Sequence, residues 1–147
     1  MIDDLYSQAV LKRAAQIGHL GHLDAPMATA TRSARLCGST LSVELDVVDG
    51  VITRFAQTVE ACALGQAAAG ILSQSVIGAP VTEVVAARDA LRARLKGADG
   101  PDYPPRFADF AILDGVREFP ARHASTLLAL EATAEAALKP DKAISTR

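Results

Sequence analysis

Cys37, Cys62 and His123 are the residues of this chain whose types offer chemistry beyond packing and solvation. Thiolate sulfur and imidazole nitrogen are the donors that zinc and iron take from proteins. A thiolate is also the nucleophile that takes the outer sulfur from a persulfide, releasing the donor thiolate. Two cysteines are too few for a disulfide framework, and a reducing cytosol would not preserve a structural bridge. Each thiol is therefore either packing or chemistry, and unpaired cysteine often packs as a small hydrophobe. A histidine beside a helix is often only solvated. His19 and His22 stand three apart in a glycine-containing loop, a spacing that suits a metal but equally a solvated loop. Asp109 and Asp114 have no paired-carboxylate pattern, so acid/base hydrolysis finds no support.

The elements that position these residues follow from periodicity. Leu5, Tyr6, Ala9, Val10, Ala14 and Ile17 fall at three- and four-residue steps, predicting an amphipathic lid or docking helix over 3–17 with acidic residues in its first turn. Gly18, Gly21 and Pro26 break the stretch 18–27 into a loop. Residues 28–36 alternate small and polar side chains, and Leu41, Val43, Leu45 and Val47 alternate with Ser42, Glu44 and Asp46, the period of half-buried strands. Asp49-Gly50 suits a two-residue hairpin turn, so 51–59 should return antiparallel.

Helices are predicted over 61–77, 82–95, 106–115 and 124–138, the last stopped by Pro140, with a turn-rich connector over 97–105. Gly65 and Gly70 inside the first of these point to close backbone packing. Arg88, Arg92 and Arg94 read as a solvated helix face rather than a dock for an acidic partner. Strands first and helices after give an α+β fold, a three-stranded antiparallel sheet covered on one face by helices. In that layout Cys37 lies at the Cys37-Gly38 corner between the first two strands, and Cys62 lies between the third strand and its helix. Both connections fall at one end of the sheet. A helix start favours the thiolate, and His123, ahead of the last helix, can be aimed at the same end.

Composition narrows the function classes. With 147 residues the chain suits one domain, over 1–139, with a frayed tail over 140–147. Lys+Arg number 15 against 17 Asp+Glu, so the basic footprint of a nucleic-acid binder is missing. Aromatics are only 4% with no Trp, which disfavours base-stacking platforms. No apolar run reaches the roughly 18 residues that span a bilayer, and the opening MIDDLYSQ is acidic and polar where a secretory signal is basic and then apolar, so a cytoplasmic protein is expected.

These segments together resemble the IscU/NifU-type iron–sulfur cluster assembly scaffolds, and within them the SufU branch. The resemblance rests on the N-terminal helix with Tyr6, the Cys37-Gly38 corner, the Asp49-Gly50 hairpin, and Cys62-Ala63-Leu64-Gly65-Gln66-Ala67 opening a helix. It extends to Leu113-Asp114-Gly115-Val116 followed by Phe119-Pro120-Ala121-Arg122, a block that with the long insert before it looks like SufU. The resemblance implies a SufE/NifU-like α+β fold and a site for iron, an iron–sulfur cluster or, as in the SufU branch, zinc. It also implies sulfur delivery by a cysteine desulfurase, with other cluster-assembly proteins as partners and neither nucleic acid nor membrane. A monomer or weak homo-oligomer is expected.

Carried over, Cys37 matches the first ligand cysteine, Cys62 the second, and His123 the histidine before the third. The third cysteine is replaced by Ala124, and Ser39 replaces the Asp that normally follows Cys-Gly. Two thiolates and one imidazole can still hold zinc or iron with an open fourth position, or two subunits can share a cluster. Three readings follow. In one, a scaffold binds metal or a labile cluster through Cys37, Cys62 and His123. In the second, Cys37 is a persulfide acceptor, with Arg122 stabilising its thiolate; this sulfur transfer is the most enzyme-like activity expected. In the third, a degenerate member binds partners without a metal site.

Overall fold

A computed structural model describes residues 6–36 and 38–145, with side chains followed through residue 140. The alternation centred on Leu41 to Val47 becomes the middle strand of a three-stranded antiparallel sheet, ordered β1 (Ala28–Ala34), β2 (Ser39–Val48), β3 (Val51–Glu60). Leu41, Val43, Leu45 and Val47 all turn inward and are buried. Asp49 and Gly50 both hold positive φ, 53° and 77°, as a turn between tightly twisted strands requires. A register shift between Asp46 and Val47 marks a bulge beside that turn.

The outer face is polar, as one wet face demands. Hydroxyls pair across β1 and β2 at Thr31–Ser42 (2.8 Å) and Ser33–Thr40 (3.3 Å). The loop before β1 is tied to this face: the Glu44 carboxylate takes His22 Nδ1 at 2.6 Å and the Leu23 N–H at 2.8 Å. Asp46 accepts the Met27 N–H at 2.9 Å and pairs with Arg54. At the outer edge of β3, Leu20 bridges Gln57 and Pro80 bridges Val51, so that edge is partly closed to further strands.

The helices are α1 (Gln8–Ala14), α2 (Ala63–Ser73), α3 (Val81–Leu95) and α4 (His123–Ser145). α4 lies across β1 and β2 and also meets α2 and α3. Ser125, Leu128, Ala129, Ala132 and Ala136 form one buried row at three- and four-residue steps, and Thr126, Leu130, Thr133 and Ala137 form a second beside it. The two glycines of α2 do bring backbones together. A Cβ on Gly70 would stand 2.0 Å from the Arg13 carbonyl oxygen, and one on Gly65 would stand 2.8 Å from the Ala61 Cβ and 3.2 Å from the Ser125 carbonyl oxygen. No helix among the described residues is long and apolar enough to cross a membrane.

Several expected boundaries shift, each for a local reason. The first helix begins after Ser7, whose hydroxyl accepts the Val10 N–H at 3.3 Å; the acidic residues of the anticipated first turn lie outside the described residues. α2 is shorter than 61–77 at its far end, because Gly78 and Ala79 leave it to bond with Ile52 on β3. The helix placed over 106–115 is a 3-10 segment, Pro105–Glu118, interrupted at Phe107. Its buried residues Phe107, Phe110, Leu113 and Val116 are spaced by three, the repeat of a 3-10 turn. Pro140 does not stop α4, which continues to Ser145: the missing N–H removes one backbone bond without ending the helix. The arginines of α3 are not a purely solvated face. Arg92 reaches Glu131 of α4 at 2.8 Å, and Arg94 reaches Asp114 at 3.1 Å while its guanidinium lies 4.9 Å from the Tyr103 ring centroid.

Candidate functional site

The strand–helix connection carrying Cys62 is fixed from both sides. β3 ends at Glu60 and α2 begins at Ala63, leaving Cys62 as the extended residue that opens the helix. Because Thr40 pairs with Glu60, the start of β2 lies beside this junction. The buried Ser39 hydroxyl accepts the Cys62 N–H at 3.2 Å, serving one of the donors that a helix start leaves unmatched. Ser39 is thus a backbone anchor for Cys62.

The Cys62 sulfur is half-buried and turns toward α4. Its thiol donates to the Ser125 hydroxyl at 3.4 Å. That hydroxyl donates to the Arg122 carbonyl at 3.1 Å, which also accepts the Thr126 hydroxyl at 2.8 Å. The sulfur therefore sits where the starts of β2, α2 and α4 meet. What Arg122 brings to this junction is its carbonyl; the expected role of its guanidinium beside the Cys37 thiolate falls on a cysteine outside the described residues.

His123 opens α4, and its Nε2 lies 3.1 Å from both the Val116 and the Arg117 carbonyl oxygens. Carbonyls only accept, so Nε2 carries a proton, and in the singly protonated ring the lone pair is then on Nδ1. Histidines that bind metals are commonly oriented in this way, the second nitrogen donating to a backbone carbonyl. Ala124 is exposed and brings no donor.

Cys37 lies outside the described residues; the corner continues at Gly38, whose φ of 70° suits the sharp turn into β2. Among the described residues no three His, Cys, Asp or Glu side chains gather as a metal site. The other histidines have separate surroundings. His19 meets the Phe55 ring edge-on at 6.1 Å between centroids, and His22 is engaged with Glu44. Asp109 pairs with Arg13 at 2.7 Å.

Ser125 is the residue of this site that sequence reasoning passed over. The available signal was its place on the apolar stripe of α4 with Leu128, Ala129 and Ala132, where a buried hydroxyl must find a partner.

No family model matches the chain, and no curated protein does. Solved structures do. A nitrogen-fixing NifU-like protein (N-terminal) from Brucella abortus is 45% identical, over 96% of this chain and 97% of that one, with a TM-score of 0.91. A hypothetical protein shares the fold at 24% identity, covering 89% of this chain and 95% of its own, with a TM-score of 0.79. A putative iron-sulfur cluster assembly scaffold protein for the SUF system from Fervidobacterium islandicum AW-1 shares it at 16% identity, covering 90% and 96%, with a TM-score of 0.78. Sheet order, the helix opened by Cys62 and near-complete coverage at that identity agree: the chain belongs to the NifU-like family, within the IscU/NifU type.

Proposed function

We propose that this protein is an iron–sulfur cluster assembly scaffold of the SufU-like kind, taking up metal or a labile cluster as cargo through Cys37, Cys62 and His123. The observation that carries this reading is the 45% identity to the Brucella abortus NifU-like protein across nearly the whole of both chains, with Cys62 held at the helix start. The shared fold of the scaffold protein for the SUF system supports it. The chemistry of the donors agrees: a half-buried sulfur and an imidazole with its Nδ1 lone pair available suit zinc or iron. A set of two thiolates and one imidazole leaves a fourth position for water or sulfide, which suits cargo that must later leave. Sulfur would arrive from a cysteine desulfurase, with Cys37 as the accepting thiol.

The exposed methyl of Ala124 at the third cysteine position favours a second reading, a partner-binding module without a metal site. Metal analysis of protein purified anaerobically separates the two. The scaffold reading expects about one metal per chain in the wild type and its loss in Cys62→Ser, because ligand removal from a three-donor site is not compensated. Wild-type protein carrying only traces of metal after anaerobic loading with iron or zinc would overturn the scaffold reading. Retained desulfurase binding by a Cys37→Ser/Cys62→Ser variant would then favour the module.

A further inference from the structure

Of the two outer edges of the sheet, that of β3 is bridged by Leu20 and Pro80, while that of β1 has no bridge along it among the described residues. The register says which groups β1 presents there. The hydroxyls of Thr31 and Ser42 meet at 2.8 Å and those of Ser33 and Thr40 at 3.3 Å, the closeness of non-hydrogen-bonded pairs in an antiparallel ladder. Thr29, Thr31 and Ser33 therefore turn their N–H and C=O groups away from β2, along the open edge. The Thr29 carbonyl agrees with this phase, for it accepts from Lys139 Nζ at 2.6 Å across 110 positions of sequence. Glu135, one turn back on α4, stands 4.0 Å from the same ammonium and takes Arg32 of β1 at 3.2 Å. We infer that Lys139 closes the β1 edge, and that the strand it excludes is β1 of a second copy of this chain. Neither thiol takes part, so the inference stands apart from the scaffold reading.

β1 is complementary to itself. An antiparallel pairing centred on Thr31 sets Thr31 against Thr31, and Thr29 against Ser33 of the second copy, so each outward N–H finds a carbonyl. Hydroxyl residues then oppose one another on the wet face, a favourable cross-strand match, and Arg32 opposes Ala30 rather than a like charge. Arg32 and Glu135 are both half-exposed above the edge, so each Arg32 comes beside the Glu135 of the second copy, opposite charge to opposite charge. The helices fit as well. α4 lies across both β1 and β2, so a two-fold axis at the β1 edge sets the two copies of α4 two strand spacings apart, roughly 9–10 Å, within the roughly 8–10 Å at which helices pack. Lys139 competes with this pairing directly. Its ammonium occupies the Thr29 carbonyl that the Ser33 N–H of the second copy would take, and it must be stripped from both copies before the strands can join. A lysine at an open edge commonly opposes such pairing.

Sedimentation equilibrium of the full chain, joined to amide hydrogen exchange followed by nuclear magnetic resonance, tests this. Lys139→Ala places a good helix former in α4 and should fold as the wild type does. The expected result is self-association about tenfold tighter in Lys139→Ala, because an exposed amine contact worth a factor of about three no longer opposes pairing in either copy. Lys139→Arg, which keeps a charged donor, should stay with the wild type. The Thr31 and Ser33 amides should exchange freely in the monomer and become protected in the associated form. Thr31→Pro in the Lys139→Ala background removes an outward N–H without removing a β1–β2 bond, and should return association to the wild-type constant. Should that double variant fail to fold, the exchange pattern of Lys139→Ala decides by itself. A Lys139→Ala chain that associates no more tightly than the wild type would overturn the inference and leave the edge to a strand of another protein. Tighter association with the Thr31 and Ser33 amides still exchanging freely would overturn it too, by placing the second copy on a different surface.

Discussion

Replacing Gly70 by Ala should unseat α1, and the structure says by how much. The added Cβ would stand 2.0 Å from the Arg13 carbonyl oxygen and 2.9 Å from its carbonyl carbon. These are backbone atoms with no rotamer to yield, so α1 must retreat by about 1.4 Å to reach the 3.4 Å where ordinary contact begins. That retreat opens the burial of Val10, worth roughly 1.5–3 kcal/mol. It also strains the Gly18 N–H to Ser73 hydroxyl bond (2.9 Å), worth about 1 kcal/mol. The exposed Arg13–Asp109 pair adds little. Alanine returns about 1 kcal/mol through helix propensity in α2.

The net loss is about 1.5–3 kcal/mol, or a melting temperature lower by roughly 3–12 °C for a chain of this length. Thermal unfolding followed by circular dichroism reads it. Gly65→Ala should fall between Gly70→Ala and wild type, because one close neighbour is only the Ala61 methyl at 2.8 Å and the carbonyl lies farther off at 3.2 Å. Gly115→Ala, with nothing within 4 Å, should be neutral or slightly stabilising. A Gly70→Ala protein melting with the wild type, or the three variants out of this order, would refute the packing of α1 on α2.

Other predictions follow from charge and backbone geometry. The His22 hydrogen bond, helped by the Leu23 N–H, lowers the pKa of Glu44, and the Arg54 hydrogen bond lowers that of Asp46. Both carboxylates therefore stabilise the fold above their unfolded pKa values near 4, and that contribution fades as pH falls through the lower folded values. Urea midpoints measured from pH 6 down to pH 3 should decline less steeply in Glu44→Gln. Tyr103 titrates in the opposite sense: burial, then the Asp114 charge, push its phenol well above the usual range. Stability from its neutral form is complete below about pH 10 and is lost above it, so ultraviolet titration should release the Tyr103 phenolate only as the protein unfolds. Gly50→Ala at φ 77° should cost about 1–2 kcal/mol, whereas Asp49→Asn, at a position asparagine also accepts, should cost much less in the same melt.

The sheet was legible because its signals are local. Leu41 to Val47 alternate with period two, and Asp49-Gly50 meets the φ demands of its turn within two residues. The same holds for Cys62, whose place between a β-rich run and an Ala/Leu run puts it at a helix start. The expectation of a helix over 106–115 ended by Gly115 misses the strict spacing of three at Phe107, Phe110, Leu113 and Val116 that marks the 3-10 segment. The Arg92–Glu131 and Arg94–Asp114 pairs join residues 39 and 20 positions apart, which a periodicity argument on α3 alone does not reach. Ser125 is of that kind too: its partner Cys62 lies 63 residues away, and only the buried hydroxyl on the α4 stripe hinted at it. The carbonyls that fix the His123 tautomer belong to the 3-10 segment, so its orientation could not be read before that segment was known.

X-ray absorption at the zinc edge of anaerobically zinc-loaded full-length protein tests the central claim most directly, because it counts donors by element. Ligation by both cysteines and His123 predicts two sulfur scatterers at about 2.3 Å and a histidine nitrogen at about 2.0–2.1 Å, with one sulfur lost in Cys62→Ser. A first shell of oxygen and nitrogen alone, indifferent to Cys62→Ser, would contradict it.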